Sequence, residues 1–271
     1  MDVPGYRLNI LHDGTTYFSS VALQPPRGSA DLVERSEKGL STISCSNNIE
    51  SKCYFREKVL CVVVIGEKET YICKNCKNKI AKKAKAREDF PKITFCSMEC
   101  LEESMDFLDI CGPIFTALDH VSSGNWLSVV HIIKLAVHYI YSILTCTSSI
   151  ELARLLSALR LESHEHIVCS ELKSAAEWLF NQVHKQLSPQ DILELSYKGL
   201  YLGKHGTQTI ESEYMILYRL LLIIKYNAQP LPVYGVPQVQ LLCLLPSIAR
   251  VNHSCKPNAT LVYDITYPYQ S

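Results

Sequence analysis

The sequence has no excess of charge of either sign: 27 Lys and Arg residues are matched by 27 Asp and Glu across 271 positions. That balance excludes a global field drawing the protein to nucleic acid or to a membrane surface, so any electrostatic attraction has to be local. No basic stretch followed by an apolar core opens the chain. Met1 to Asn9 mixes Asp2, Pro4, Gly5 and Arg7 among its few apolar residues, which argues against secretion. An uninterrupted apolar run is also missing. The nearest, Trp126 to Leu144, is long enough to cross a bilayer, but His131, Lys134 and His138 fall at i, i+3 and i+7 on one helical stripe. That is the pattern of an amphipathic buried helix. There is no internal repeat, and no low-complexity segment beyond one lysine cluster.

What remains is an ordinary globular balance, 47% hydrophobic and 20% charged, enough for one or two domains with a substantial core. The 12 cysteines, in a chain without signs of secretion, read as metal ligands or small buried apolar residues before they read as disulfides. Four stretches differ in texture. Residues 1–72 carry β-branched and aromatic runs broken by turn residues, such as Leu60 to Ile65 before Gly66, and predict short strands. Residues 73–111 turn lysine-rich and cysteine-paired. From 112 to 226 the signals are helical, strongest from Pro113 to Tyr226. Ser188, Pro189 and Asp191 fit N-cap, N1 and N3 of one helix. Thr209 is placed to cap the run to Tyr226, and Ser149 to Leu161 and Glu171 to Leu187 give two more amphipathic candidates. From 227 to 271 Pro, Gly and β-branched residues return. The order predicts an α+β protein whose β domain is discontinuous.

Within the second stretch, Cys73 and Cys76 enclose two residues, and Cys96 and Cys100 enclose three. Two such pairs supply four thiolates to one tetrahedral zinc, because each folds into a tight turn that aims both sulfurs at one point. Cys111 is left out, since no histidine lies near it at a ligand spacing. Between the pairs run Lys74, Lys77, Lys79, Lys82, Lys83, Lys85, Arg87 and Lys92, opposed by Glu88 and Asp89. Such a cluster attracts phosphates or an acidic peptide. No aromatic residue interleaves before Phe90, so base stacking and direct nucleic-acid binding are not supported, and a solvated face on a loop is the plainer reading.

Arg250 to Asn258 reads Arg-Val-Asn-His-Ser-Cys-Lys-Pro-Asn, a polar knot directly after the apolar run Val239 to Ala249. Burying such groups is costly unless something binds there. Asn252-His253-Ser254-Cys255, followed by one residue and Pro257-Asn258, resembles the signature of the SET domain. The cysteine module resembles a MYND finger at the place where the SET and MYND family of protein-lysine methyltransferases inserts one. Ser36-Glu-Lys-Gly-Leu40 resembles that family's glycine turn, and the similarity runs in order over about residues 30 to 265.

The resemblance implies a SET-type β fold interrupted by a small zinc finger and a helical insert: 1–72 and 227–271 as its two β parts, 73–111 as the finger, 112–226 as the insert. It implies S-adenosylmethionine lying against Lys38, Gly39, Leu40, Asn227, Asn252 and His253, and methyl transfer to a neutral lysine amine of a histone or non-histone protein. Proximity, in-line alignment and charge stabilisation do most of that work. It further implies a proline-rich peptide or chromatin partner and a nuclear or cytoplasmic location.

Three departures accompany it. Glu37 stands where the family has the first glycine of its turn. The second cysteine pair and the late His and Cys of a full MYND finger are missing, which leaves one zinc of two. The family's catalytic tyrosine and cysteine-rich closing segment are expected beyond Ser271, so Cys255 is expected to be a free thiol and activity to need a longer form. The alternative is a catalytically inactive scaffold that binds partners through finger and helices. Elsewhere, His164 and His166 around Glu165 read as a surface loop, and Trp126 and Trp178 as packing residues in helical patterns.

Overall fold

The computed structural model describes residues 6–10, 30–35, 39–44, 59–66, 69–77, 79–80, 84–121, 129–161, 163–164, 168–200, 214–233, 236–249 and 261–265. The chain divides into two units, one formed by Met1–Leu60 with Leu245–Ser271 and the other by Cys61–Leu244. Helices and antiparallel strands are both present, so the protein is of mixed α+β type.

In the first unit, β1 (Tyr6–Ile10) pairs antiparallel with β7 (Leu261–Ile265), with Tyr6 opposite Ile265 and Ile10 opposite Leu261. Strands from opposite ends of the sequence thus form one ladder, which makes this unit discontinuous along the chain. β2 (Ala30–Arg35) pairs antiparallel with β3 (Gly39–Ser44), with Arg35 opposite Gly39. A short helix, α8, covers Pro246–Ala249.

The second unit holds a three-stranded antiparallel sheet in the order β4 (Cys61–Ile65), β6 (Val236–Leu244), β5 (Gln229–Val233). β4 reads Cys-Val-Val-Val-Ile, a β-branched run buried along almost its whole length. β5 carries Pro230 and Pro232. Prolines break a central ladder, and here they fall two apart on the outer strand of the described sheet, where a missing N–H costs least.

Seven helices fill the rest of the described unit: α1 (Met98–Glu102), α2 (Met105–Val121), α3 (Val130–Thr145), α4 (Ser149–Ser157), α5 (Ser170–Gln186), α6 (Pro189–Tyr197) and α7 (Met215–Asn227). α3 packs on β4 and α7 packs on α3 and α5. α7 is apolar nearly all round, with Leu217, Leu220, Leu221, Leu222 and Ile223 fully covered, as a central helix must be. The Tyr139 hydroxyl, deep in α3, donates to the Leu155 carbonyl at 2.8 Å and so keeps its polar end satisfied. No described helix is long and apolar enough to cross a membrane.

The chemical start signals fare unevenly. At α6, Ser188 accepts from the Asp191 amide while the Asp191 carboxylate accepts from the Ser188 amide, a complete capping box with Pro189 at its first turn. α7 begins after Tyr214 without a side-chain cap; Thr209, like Trp126, Glu165 and His166, lies outside the described residues. α2 begins at Met105 and carries Pro113 inside. Leu108, Cys111, Ile114 and Leu118 along it are buried, and that continuous apolar stripe outweighs the hydrogen bond the proline removes.

His138 of α3 stacks on Phe107 with centroids 4.5 Å apart and lies 5.8 Å from Phe115. Some solvent reaches the residue's edge, but enclosure of the ring comes first in pushing its pKa well below the ordinary value, followed by the fields of Lys77, Lys74 and Lys134. The unfolded chain therefore takes up a proton near pH 6.5 that the folded one refuses. This gives a stability that is full above that pH and declines as the pH falls below it. Denaturant titrations from pH 7 to pH 5 are expected to show a loss of up to about 1.4 kcal/mol per pH unit from this group. The slope should be shallower in His138→Gln, and equal slopes would refute the assignment.

Candidate metal centre

The first half of the site is a turn. Ile72 bridges to Lys79, and within that loop the Lys77 amide donates to the Cys73 carbonyl at 3.0 Å, which folds Cys73 and Cys76 onto one side. The turn closes through Lys77 at φ +62°, in the left-handed region that usually takes glycine. The second half is a helix start. Lys85 and Phe95 exchange two backbone hydrogen bonds at 2.7 and 2.8 Å, delivering Cys96. Ser97 then caps α1 by accepting from the Cys100 amide at 3.3 Å, so Cys100 sits in the first helical turn. The Lys74 amide donates to the Thr94 carbonyl at 2.9 Å and ties the two halves together.

The sulfurs of Cys73, Cys76, Cys96 and Cys100 all lie within 4.8 Å of one another, and this group can hold a metal ion. Cys76 to Cys96 and Cys96 to Cys100 each measure 3.6 Å. A tetrahedral ion with metal–sulfur bonds of about 2.3 Å sets its sulfurs about 3.8 Å apart, so the donor set is compatible with zinc. Cys73 is fully buried and the others partly so.

The four thiols also act on one another. Cys73 is pushed down, chiefly because the Cys76 thiol donates to it, aided by the amides of Cys96, Cys76 and Asn75. Cys96 is pushed up, first by burial and then by its hydrogen bond with Cys100. These opposite directions describe one coupled group: four sulfurs this close cannot all carry charge unless a cation sits among them.

Beneath the sulfurs lies a small core of Ile80, Phe90, Phe95, Leu101 and Leu108. Phe90 has two close neighbours. Arg87 lies over its ring at 4.8 Å, itself ion-paired with Asp89 at 2.6 Å and with Asp109. Gly112 of α2 also approaches it, and an added Cβ there would meet the ring at 2.6 Å.

Of the site residues expected from sequence, the four cysteines come together. Cys111, left out of the set, is buried in α2 with its thiol pushed up by desolvation. Cys61 is likewise pushed up to about 12 by burial, so both behave as packing residues. Gly39 and Leu40 open β3 opposite Arg35 and Glu34. Asn227 ends α7, buried, with its amide donating to the Ile223 carbonyl at 2.8 Å. Lys38, Asn252 and His253 lie outside the described residues, as do Lys82 and Lys83.

The lysine cluster needs one correction. Lys79, Lys85 and Lys92 are exposed as a solvated face requires, but Lys77 is 6% exposed, and its ammonium donates to the Lys74 carbonyl. Burial, then Lys74, lowers its pKa to about 8. Its position right after the second cysteine of a tight turn was the available signal, since that residue closes the turn onto the Cys73 carbonyl.

Fold and site together define a mixed helix-and-strand protein with a four-cysteine group able to hold a metal ion. No family model matches the chain, and no curated protein matches it.

Proposed function

We propose that the protein is an S-adenosylmethionine-dependent protein-lysine methyltransferase of the SET and MYND type, with one structural zinc in its finger. The observation that carries this reading is the gathering of Cys73, Cys76, Cys96 and Cys100 at the point in the chain where the Asn252 to Asn258 resemblance calls for a finger. The α+β architecture, with strands at both ends of the chain and helices between, is compatible with a SET-type fold. In this reading Lys38 to Leu40, Asn227, Asn252 and His253 hold the methyl donor. The transferred methyl leaves a sulfonium for a neutral lysine amine, so what the protein must supply is alignment, exclusion of water and a stabilised charge distribution.

Isothermal titration of the zinc-loaded chain with S-adenosylhomocysteine is expected to give weak binding in the parent and none in Asn252→Ala. Metal content should be equal in both, so that loss of the finger is not mistaken for loss of the pocket. Equal and tight binding in both proteins would mean that the pocket is misassigned. Assay of the protein against a panel of lysine peptides then identifies the substrate.

A further inference from the structure

Beside the finger, within the second unit, lies a cavity of about 50 Å³, partly open to solvent, whose lining includes Lys74, Lys77, Lys92 and Lys134. These four lysines come from three places in the chain: the first cysteine turn, the stretch ahead of Cys96, and α3. Asp119, the carboxylate among the described lining residues, sits 3.2 Å from Lys92. The lining is also aromatic. Phe107 and Phe115, 5.6 Å apart, flank His138, whose ring stacks on Phe107.

Two physical consequences follow. A concave surface with several cations and one anion concentrates negative charge, more so where low-dielectric walls focus the field. The depression of His138 reports that field from inside, since burial is joined by Lys77, Lys74 and Lys134 in opposing a proton on the ring. A divalent metal held by the four thiolates would make the group formally a dianion, which would offset part of the charge of Lys74 and Lys77 and leave Lys134 the larger share of the attraction. Lys134 approaches from a separate helix, so an anion in the cavity is held between α3 and the finger.

We propose that this cavity binds a small molecule bearing a phosphate or carboxylate on a flat apolar ring, the anionic head between Lys134 and the finger lysines and the ring against Phe107 and Phe115. Charge-assisted hydrogen bonds orient the head, and ring contact supplies the apolar burial that a bare anion lacks. The site is independent of the methyl-donor pocket, so either assignment can fail without the other.

The test is titration of the zinc-loaded chain, followed by ligand-observed NMR and calorimetry, with phenyl phosphate, benzoate, inorganic phosphate and benzylamine. Phenyl phosphate or benzoate is expected to bind at least tenfold more tightly than inorganic phosphate, and benzylamine not at all. Whichever of the first two binds more tightly identifies the head group. Lys134→Gln and Phe115→Leu should each weaken the preferred probe about tenfold at unchanged metal content and circular dichroism, while Lys134→Arg retains most of the affinity. Inorganic phosphate binding as well as phenyl phosphate, or folded Lys134→Gln and Phe115→Leu proteins binding like the parent, would overturn the proposal and leave a diffuse basic surface.

Discussion

Replacing Cys73 or Cys96 with Ser is expected to release the metal and unfold the finger, the largest single effect in the molecule. Five apolar side chains, Ile80, Phe90, Phe95, Leu101 and Leu108, make the core under the sulfurs, too few to hold a loop segment with so many lysines by burial alone. Structural zinc sites supply on the order of 10 kcal/mol of apparent binding free energy, which becomes folding free energy. A lost thiolate should cost more affinity than the roughly 10–100-fold typical of outer-shell partners. Elemental analysis is expected to find one zinc per chain in the parent and well below one in either variant. In the parent, chelation should make Cys73, Cys76, Cys96 and Cys100 open to alkylation while Cys61 and Cys111, buried with raised pKa values, stay protected. Two zinc ions per chain, or full occupancy in Cys96→Ser, would contradict the four-sulfur centre.

Gly112→Ala should destabilise the protein even though alanine is the better helix former. Inside a helix that exchange gains up to about 1 kcal/mol. Here the new methyl would lie 2.6 to 2.8 Å from three carbons of the Phe90 ring, over which Arg87 also lies. Overpacking of this kind costs about 1–3 kcal/mol, so the clash wins. Phe90→Ala alone should cost about 3–5 kcal/mol, as large-to-small changes of buried aromatics do. The two changes share one contact and cannot be additive. In the Phe90→Ala background, Gly112→Ala should be neutral or stabilising. A denaturant-based double-mutant cycle reads this coupling directly, and strict additivity would mean that Phe90 does not pack on α2.

Much of the site was legible in the sequence because metal ligands are local signals. Two short cysteine spacings suffice to form two turns, and the capping chemistry at Ser188 acts within three residues. The lysines were harder to read. Lys77 and Lys79 are two apart with the same composition around them, yet one is buried and the other exposed, because only the first must close the cysteine turn. Pro113 shows the same limit: packing of Leu108, Cys111 and Ile114 outweighs its local cost inside α2.

The sequence by itself determined the strand and helix texture, the pairing of Cys73, Cys76, Cys96 and Cys100, and the hypothesis carried by the segment from Asn252, since each depends on residues within a few positions. Only the tertiary structure decided that β1 and β7 share a ladder, that Phe90 fits against a glycine, and that lysines from the finger and α3 face one cavity. Those pairings join residues distant along the chain, and burial and sterics select them only when the whole core closes at once.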